Sequence, residues 1–223
     1  SIGVRVLSEC ESLESIVVAE TNKVYGGAGN CLTEKATKTL IAGCRTSVIP
    51  TDGSVTAIKE NAFYGCTLTH IVIPASVVSI GTDAFMLCRE LESIVVEEGN
   101  PVYFSSGNCV IAKADGVLVL GCAASVIPTD GSVKAIGAYA FQGQTGMREI
   151  IIPKSVTKIG NGAFWLCNLT VYFEGTREEW DAVEIGNYTG ISEESVCFYS
   201  ETEPEEDAEG RYWHYGADGA TPV

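Results

Sequence analysis

The sequence predicts an α/β protein in which short β-strands dominate and stack into a right-handed solenoid, with brief helical or 3₁₀ turns between them. Three observations carry this prediction: the chain contains a long internal repeat, a shorter unit recurs within the long one, and each short unit holds one β-branched segment. The chain has 223 residues, 46% of them hydrophobic, which is enough to bury a core.

The long repeat is visible as identical strings. LESIVV stands at 13–18 and again at 91–96, and SVIPTDGSV stands at 47–55 and again at 125–133. More than half of the aligned positions between 13–88 and the following copy are identical. The opening Ser-Ile-Gly also matches 79–81, so we expect the chain to start inside a repeat unit.

The shorter unit consists of an Ala-Phe pair, a Cys three positions later and a β-branched segment. The pairs stand at 62–63, 84–85, 140–141 and 163–164, and Gln144 replaces the Cys in one copy. The predicted strands end at Val18, Ile49, Ile73, Val96, Ile127, Ile152 and Phe173. One strand in roughly every 20 to 30 residues is typical of a leucine-rich-repeat solenoid.

Each predicted strand is too short to be stable alone, so it must pair in parallel with its neighbours, with side chains pointing alternately inward and outward. Pro50, Pro74, Pro128 and Pro153 follow strands, where a missing N–H disturbs the ladder least. The longest units contain an additional hairpin over 30–44 and 108–122, with turns at 35–37 and 113–116. We expect it to form a two-stranded flap on the solenoid.

The nine cysteines follow the repeat, because Cys10, Cys31 and Cys44 stand at the same places in the first copy as Cys88, Cys109 and Cys122 in the second. This periodicity favours free thiols in the core, where Cys behaves as a small hydrophobic residue. One or two disulfides remain the alternative, with Cys31–Cys44 and Cys109–Cys122 as the pairs. Without a CxxC motif and with two histidines, the sequence gives little support to a zinc site.

The net charge of −15 argues against nucleic acid as a partner and against docking on an anionic membrane. Residues 1–173 hold 15 acidic and 12 basic side chains, whereas 174–223 hold 14 and 2. The excess charge therefore belongs to the tail. No apolar stretch is long enough to insert into a membrane as a helix.

No catalytic motif is present: the sequence has no G-x-S-x-G elbow, phosphate-binding loop or H-E-x-x-H. We therefore expect no enzyme activity, no cofactor and no metal. Six carboxylates crowd residues 201–209, but no spaced motif organises them for calcium, so a solvated acidic loop is favoured.

The string A-F-x-x-C-x-x-L-x-x-I-x-I-P-x-S-V-x-x-I-G, starting at Ala62, Ala84 and Ala140, resembles the BspA-like leucine-rich repeats of bacterial surface proteins. The resemblance covers roughly residues 1–173. It implies a secreted or cell-surface adhesion or binding protein of host-associated bacteria, with an export signal outside this chain, and it assigns no catalytic residue or single ligand. Residues 174–223 are predicted to form an acidic C-terminal cap, with a helix capped by Thr176 and short strands at 195–199 and 212–215.

Strand alternation predicts a surface of outward-facing side chains, which we call the strand face. Its members are Val17, Val48, His70, Val72, Val95, Val126, Ile151 and Tyr172. They form a predicted continuous aliphatic stripe, which indicates a protein contact, although β-branched residues also simply favour strands.

The leading functional hypothesis is adhesion to an extracellular or host protein through the strand face. A glycan-binding surface module is the alternative, for which the sequence offers Tyr172 and the unusual Trp165. A structural spacer within a larger surface protein is the third.

Overall fold

The computed structural model describes residues 2–3, 5–202 and 211–223, and it has the predicted architecture of a β-solenoid. One series of strands carries the strand face: β5 (His70–Ile73), β7 (Ser93–Val96), β12 (Glu149–Ile152), β14 (Thr170–Phe173), β16 (Val196–Tyr199) and β17 (Tyr212–Trp213). β5 pairs with β7, and β12, β14, β16 and β17 follow one another in a second sheet. All of these pairings are parallel.

A second series of rungs is made mostly of very short strands. It comprises β3 (Thr39–Ala42), β4 (Ala57–Ile58), β6 (Ser79–Ile80), β10 (Val117–Leu120), β11 (Ala135–Ile136), β13 (Lys158–Ile159) and β15 (Glu184–Ile185). These strands also pair in parallel, in the groups β3-β4-β6 and β10-β11-β13-β15. Several coils of the solenoid thus contribute to two ladders, of which the strand spacing predicted one.

The remaining strands form the inserted hairpins. They are β1 (Tyr25–Gly26), β2 (Leu32–Glu34), β8 (Tyr103–Ser106) and β9 (Cys109–Ala112). The hairpin prediction is confirmed, because β2 pairs antiparallel with β3 and β9 with β10. Residues 30–44 and 108–122 each hold two strands, as expected, but the description as a flap is wrong. The second of these strands, β3 or β10, is a rung of a parallel ladder, and β1 or β8 adds a third strand before the predicted bounds, so the insertion belongs to the solenoid wall.

Three predicted strands, at 13–18, 47–49 and 125–127, do not form. Val48 donates its N–H to the carbonyl of Gly29, and Val126 donates to that of Gly107, at 2.9 and 2.8 Å. These bonds join the segments to the insertions instead of to a strand. The neighbouring Asn30 and Asn108 have left-handed backbones, which cannot continue a ladder.

The two asparagines replace the missing ladder bonds with their side chains. Asn108 accepts a hydrogen bond from the N–H of Ile94 at 3.4 Å and donates one to the carbonyl of Ala124 at 3.3 Å. Asn30 accepts from the N–H of Ile16 and donates to the hydroxyl of Thr46 in the same way. Each amide therefore joins the segment before its insertion to the segment after it.

The Ala-Phe pairs lie in turns at the core, as predicted. Phe63 stacks on Phe85 with ring centroids 4.8 Å apart, and Phe141 stacks on Phe164 at 5.0 Å. The buried side chains form two main clusters, and the first includes residues of both long repeats, such as Phe63 and Ile94. The core is therefore not divided at the boundary between the repeats.

The C-terminal helix α1 (Arg177–Asp181) begins with the predicted cap. The Thr176 hydroxyl accepts from the N–H of Glu179, whose carboxylate accepts in turn from the N–H of Thr176. Trp180 is buried against the ring of Phe173. Beyond the helix, β15 and β16 extend both ladders, so the segment after residue 173 continues the coil path. The division into domains at residue 173 stays a prediction.

We expect Asn108→Ala to lower the free energy of unfolding by about 1–3 kcal/mol, because it removes the bridging amide and places alanine at a φ of 58°. Urea unfolding followed by circular dichroism measures the change. Asn168→Ala, at an exposed position, is the control and should change stability by less than about 0.5 kcal/mol. Equal stability of both variants would show that the amide bridge contributes nothing.

Candidate functional site

The side chains of the strand face point outward where alternation places them. Val17, Val48, Val72, Val95 and Val126 are between 41% and 87% exposed. Their immediate neighbours, such as Ile71, Ile73 and Ile94, are buried in the core. His70 is exposed as well, whereas Ile151 and Tyr172 are half-buried. The predicted orientation is therefore present, and the binding role of these residues stays a prediction.

The stripe is not continuous, and this corrects the sequence-based picture. Because Ile94 bonds to Asn108 and Val126 bonds to Gly107, residues 107–108 lie between the two coils that carry Val95 and Val126. The corresponding bonds of Ile16 and Val48 place residues 29–30 between Val17 and Val48. The insertions thus divide the strand face into shorter apolar segments separated by Gly-Asn rungs.

The C-terminal end of the strand face is covered by aromatic side chains. The ring of Tyr172 lies 5.5 Å from that of Trp213, which also contacts Tyr199 and Tyr215. Trp213 donates its indole N–H to the carbonyl of Phe173 at 2.9 Å, so the cluster is fixed to β14. The exposed valines therefore end where this aromatic cluster begins.

Histidine and acidic side chains form no reactive arrangement around the strand face. The Thr69 hydroxyl lies 3.4 Å from Nδ1 of His70, and both groups are exposed. Within the ranges 2–3, 5–202 and 211–223, no group of three or more His, Cys, Asp or Glu residues could hold a metal ion. Most of the acidic stretch 201–209 lies outside the described residues.

All nine cysteines are free thiols, and seven of them are buried. Cys10 is exposed, which departs from the expectation of core thiols throughout. The Sγ atoms of Cys88 and Cys167 each donate to a phenylalanine carbonyl of an adjacent coil, those of Phe63 and Phe141, at 3.1 Å. The repeated Cys is therefore a small core residue that also satisfies a backbone carbonyl.

Burial raises the pKa of several core thiols. Desolvation raises the pKa of Cys31 and Cys66 to about 11 and that of Cys109 to about 12. The pKa of Cys88 is raised well above its usual value for the same reason. These groups remain protonated at neutral pH and are not reactive thiolates.

A cavity of about 230 Å³ lies at the seam between the two long repeats. Gln142 and Gln144, which replace Tyr64 and Cys66 of the first copy, are buried in its wall. Their Oε1 atoms have no hydrogen-bond partner among the described residues. The seam is therefore more polar inside than the rest of the core.

The two parallel ladders and the stacked Ala-Phe turns define a leucine-rich-repeat solenoid. The chain belongs to the BspA type leucine rich repeat family: six copies of the family's repeat match residues 38–107 and 121–178, more than half of the sequence. No curated protein matches the chain. In the described residues no helix is long and apolar enough to cross a membrane.

Three solved structures are similar to the chain. A leucine-rich repeat protein from Eubacterium ventriosum shares 26% identity at a TM-score of 0.51, over 66% of this chain and 41% of that one. A leucine rich cell surface protein from Faecalibacterium prausnitzii shares 21% identity at a TM-score of 0.35, over 63% of this chain and 55% of that one. The pneumococcal vaccine antigen PcpA shares 17% identity at a TM-score of 0.35, over 67% of this chain and 55% of that one. The chain thus spans about half, or less, of the length of these proteins.

The raised thiol pKa values predict a loss of stability in alkali. A thiol with a higher pKa in the folded state stabilises the fold below its unfolded pKa of about 8.5, and this contribution is lost as the pH rises towards 11. We expect the melting temperature to fall between pH 8 and pH 10.5 under reducing conditions. In Cys66→Ala, the loss of unfolding free energy over this range should be about 2 kcal/mol smaller. If the unfolding free energy of Cys66→Ala and of the parent chain depends on pH in the same way, the pKa of Cys66 is not raised in the folded state.

Proposed function

We propose that this chain is a non-catalytic interaction module of an exported bacterial surface protein, and that it binds a protein partner through the strand face. The observation that carries the proposal is the set of five exposed valines along the strand face, at positions 17, 48, 72, 95 and 126. Membership of the BspA type family supports the surface location and the binding role.

The core does not require valine at the exposed positions, because a side chain that points outward can be polar without loss of core burial. β-strands tolerate threonine at outward positions as well as valine, so strand propensity does not require valine at 72 and 95, and Val17, Val48 and Val126 do not lie in strands. Apolar side chains exposed in a row favour association with another surface, which removes them from water.

The charge distribution fits a protein partner that is not strongly basic. Residues 1–173 are nearly neutral, and the acidic excess lies after residue 173. The ion pair between Glu14 and Arg45 neutralises charge beside Val17 and Val48. Contact with the strand face would therefore depend on shape and apolar burial more than on steering by charge.

The test is the double variant Val72→Lys/Val126→Lys. Two lysines on the apolar segments should weaken binding at least tenfold, because each would be desolvated in the contact. Binding to a panel of purified host extracellular proteins, together with self-association by analytical ultracentrifugation, measures the effect.

The matched control is Val24→Lys/Val78→Lys, which adds the same charge at exposed valines outside the strand face. It should bind as the parent chain does. If the strand-face variant is folded and keeps both partner binding and self-association, the strand face is not the binding surface. Failure of the parent chain to bind any protein would favour a structural spacer.

A further inference from the structure

A second surface with the features of a ligand site lies on a turn edge of the solenoid, near its C-terminal end. It is a cleft of about 480 Å³ lined by three aromatic side chains, two asparagines and one glycine: Tyr139, Trp165, Tyr188, Asn161, Asn187 and Gly162. We call it the aromatic cleft. Its volume lies within the range of small-ligand sites, and it shares no residue with the strand face.

The aromatic cleft is built from equivalent positions of consecutive coils. Tyr139, Gly162 and Tyr188 all have left-handed backbones, with φ of 59°, 62° and 54°. Tyr139 donates its N–H to the carbonyl of Asn161 at 3.0 Å, and Gly162 donates to that of Asn187 at 2.9 Å. Neighbouring rungs are about 4.8 Å apart, so the two tyrosines flank the glycine over a span of about two rungs.

Gly162 lets the ring of Tyr139 pack directly on the backbone. A Cβ atom at position 162 would lie 2.4 Å from a ring carbon of Tyr139. Tyr139, Trp165 and Tyr188 all remain exposed. The aromatic surfaces of the cleft are therefore accessible.

The lining residues that fall within the long repeat have no aromatic counterparts in its first copy. The positions equivalent to Tyr139, Gly162 and Trp165 in the first copy are Asn61, Asp83 and Met86. More than half of the aligned positions are identical between the copies, yet these three substitutions all fall in one place. Packing of the coils does not demand the aromatic residues, because the first copy forms the same turns without them.

The asparagines supply hydrogen-bonding groups at the cleft. Asn161 accepts a hydrogen bond from the N–H of Asn187 through Oδ1 at 2.8 Å, which leaves its NH₂ group as a donor. The side chain of Asn187 makes no hydrogen bond within the part of the chain that the structure describes. Flat aromatic faces beside amide groups match a pyranose ring, whose C–H face is apolar and whose edge carries hydroxyls.

The electrostatics favour a neutral ligand. None of the six residues that line the cleft is charged. Residues 174–223, which contribute Asn187 and Tyr188, hold 14 acidic and 2 basic side chains. An anionic ligand would therefore meet repulsion without a cation to bind it.

From this geometry we infer that the aromatic cleft is a binding site for neutral glycans, with the rings of Trp165 and the two tyrosines stacking on sugar faces and the amides of Asn161 and Asn187 bonding to hydroxyls. The site is independent of the strand face, so either could fail without the other.

Tryptophan fluorescence tests this inference, because Trp165 is 45% exposed while Trp180 and Trp213 are buried. The full chain is titrated to millimolar concentrations with lactose, cellobiose, mannobiose and diacetylchitobiose, and with sialyllactose as an anionic probe. At least one neutral sugar should shift the emission and protect it from acrylamide quenching. Sialyllactose should bind at least tenfold more weakly than that sugar.

The decisive variant is Tyr139→Asn/Trp165→Met, which installs the residues of the first copy at positions where the same coil already accommodates them. Calorimetry, which does not depend on Trp165, should show sugar binding weakened at least tenfold. Tyr212→Asn, at another exposed tyrosine, and the strand-face lysine variant should both bind sugar as the parent does.

Two results would overturn the inference: no neutral sugar binds the parent chain, or binding survives in the Tyr139→Asn/Trp165→Met variant. A proline decapeptide serves as a competing probe, because aromatic grooves also bind polyproline helices. If the peptide binds in the cleft and the sugars do not, the ligand is a peptide and the glycan assignment is wrong.

Discussion

The structure depends on hydrogen bonds between adjacent coils at the Ala-Phe turns. Phe63 donates its N–H to the carbonyl of Ala84 at 2.7 Å, and Phe141 donates to that of Ala163 at 2.8 Å. These bonds require a left-handed residue before each Ala, as at Asn61 and Tyr139. Once the turns are in register, the phenylalanines stack and the short strands on either side pair in parallel.

This register explains why so large an insertion is tolerated twice. Each insertion places a Gly-Asn rung between its first two strands and leaves through a strand, β3 or β10, that is itself a rung of the second ladder. Asn30 and Asn108 restore with their side chains the bonds that the broken strand ladder loses. The solenoid therefore keeps its backbone and side-chain bonds across each insertion, and the result is a divided strand face.

The same scaffold separates two surfaces with different chemistry. Strand side chains are aliphatic and lie on coils of both repeats, so they suit an extended apolar contact. The turn edge is locally variable, because a left-handed position outside the core accepts arginine, asparagine, aspartate, tyrosine or glycine. Both copies of the long repeat keep the Ala-Phe pairs that stack the coils. The turn edge differs between the copies, and the aromatic cleft lies on it.

The sequence by itself determined the repeat, the strand alternation, the orientation of Val72 and Val126, and the capped helix at Thr176, because each follows from local periodicity or local hydrogen bonding. The tertiary structure decided the rest. Alternation cannot reveal that 107–108 lie between Val95 and Val126, or that β10 is a ladder strand, because these depend on pairing across the insertion. Nor can it bring Tyr139, Trp165 and Tyr188 together. They belong to different coils and meet because stacked coils place equivalent turn positions about one rung apart.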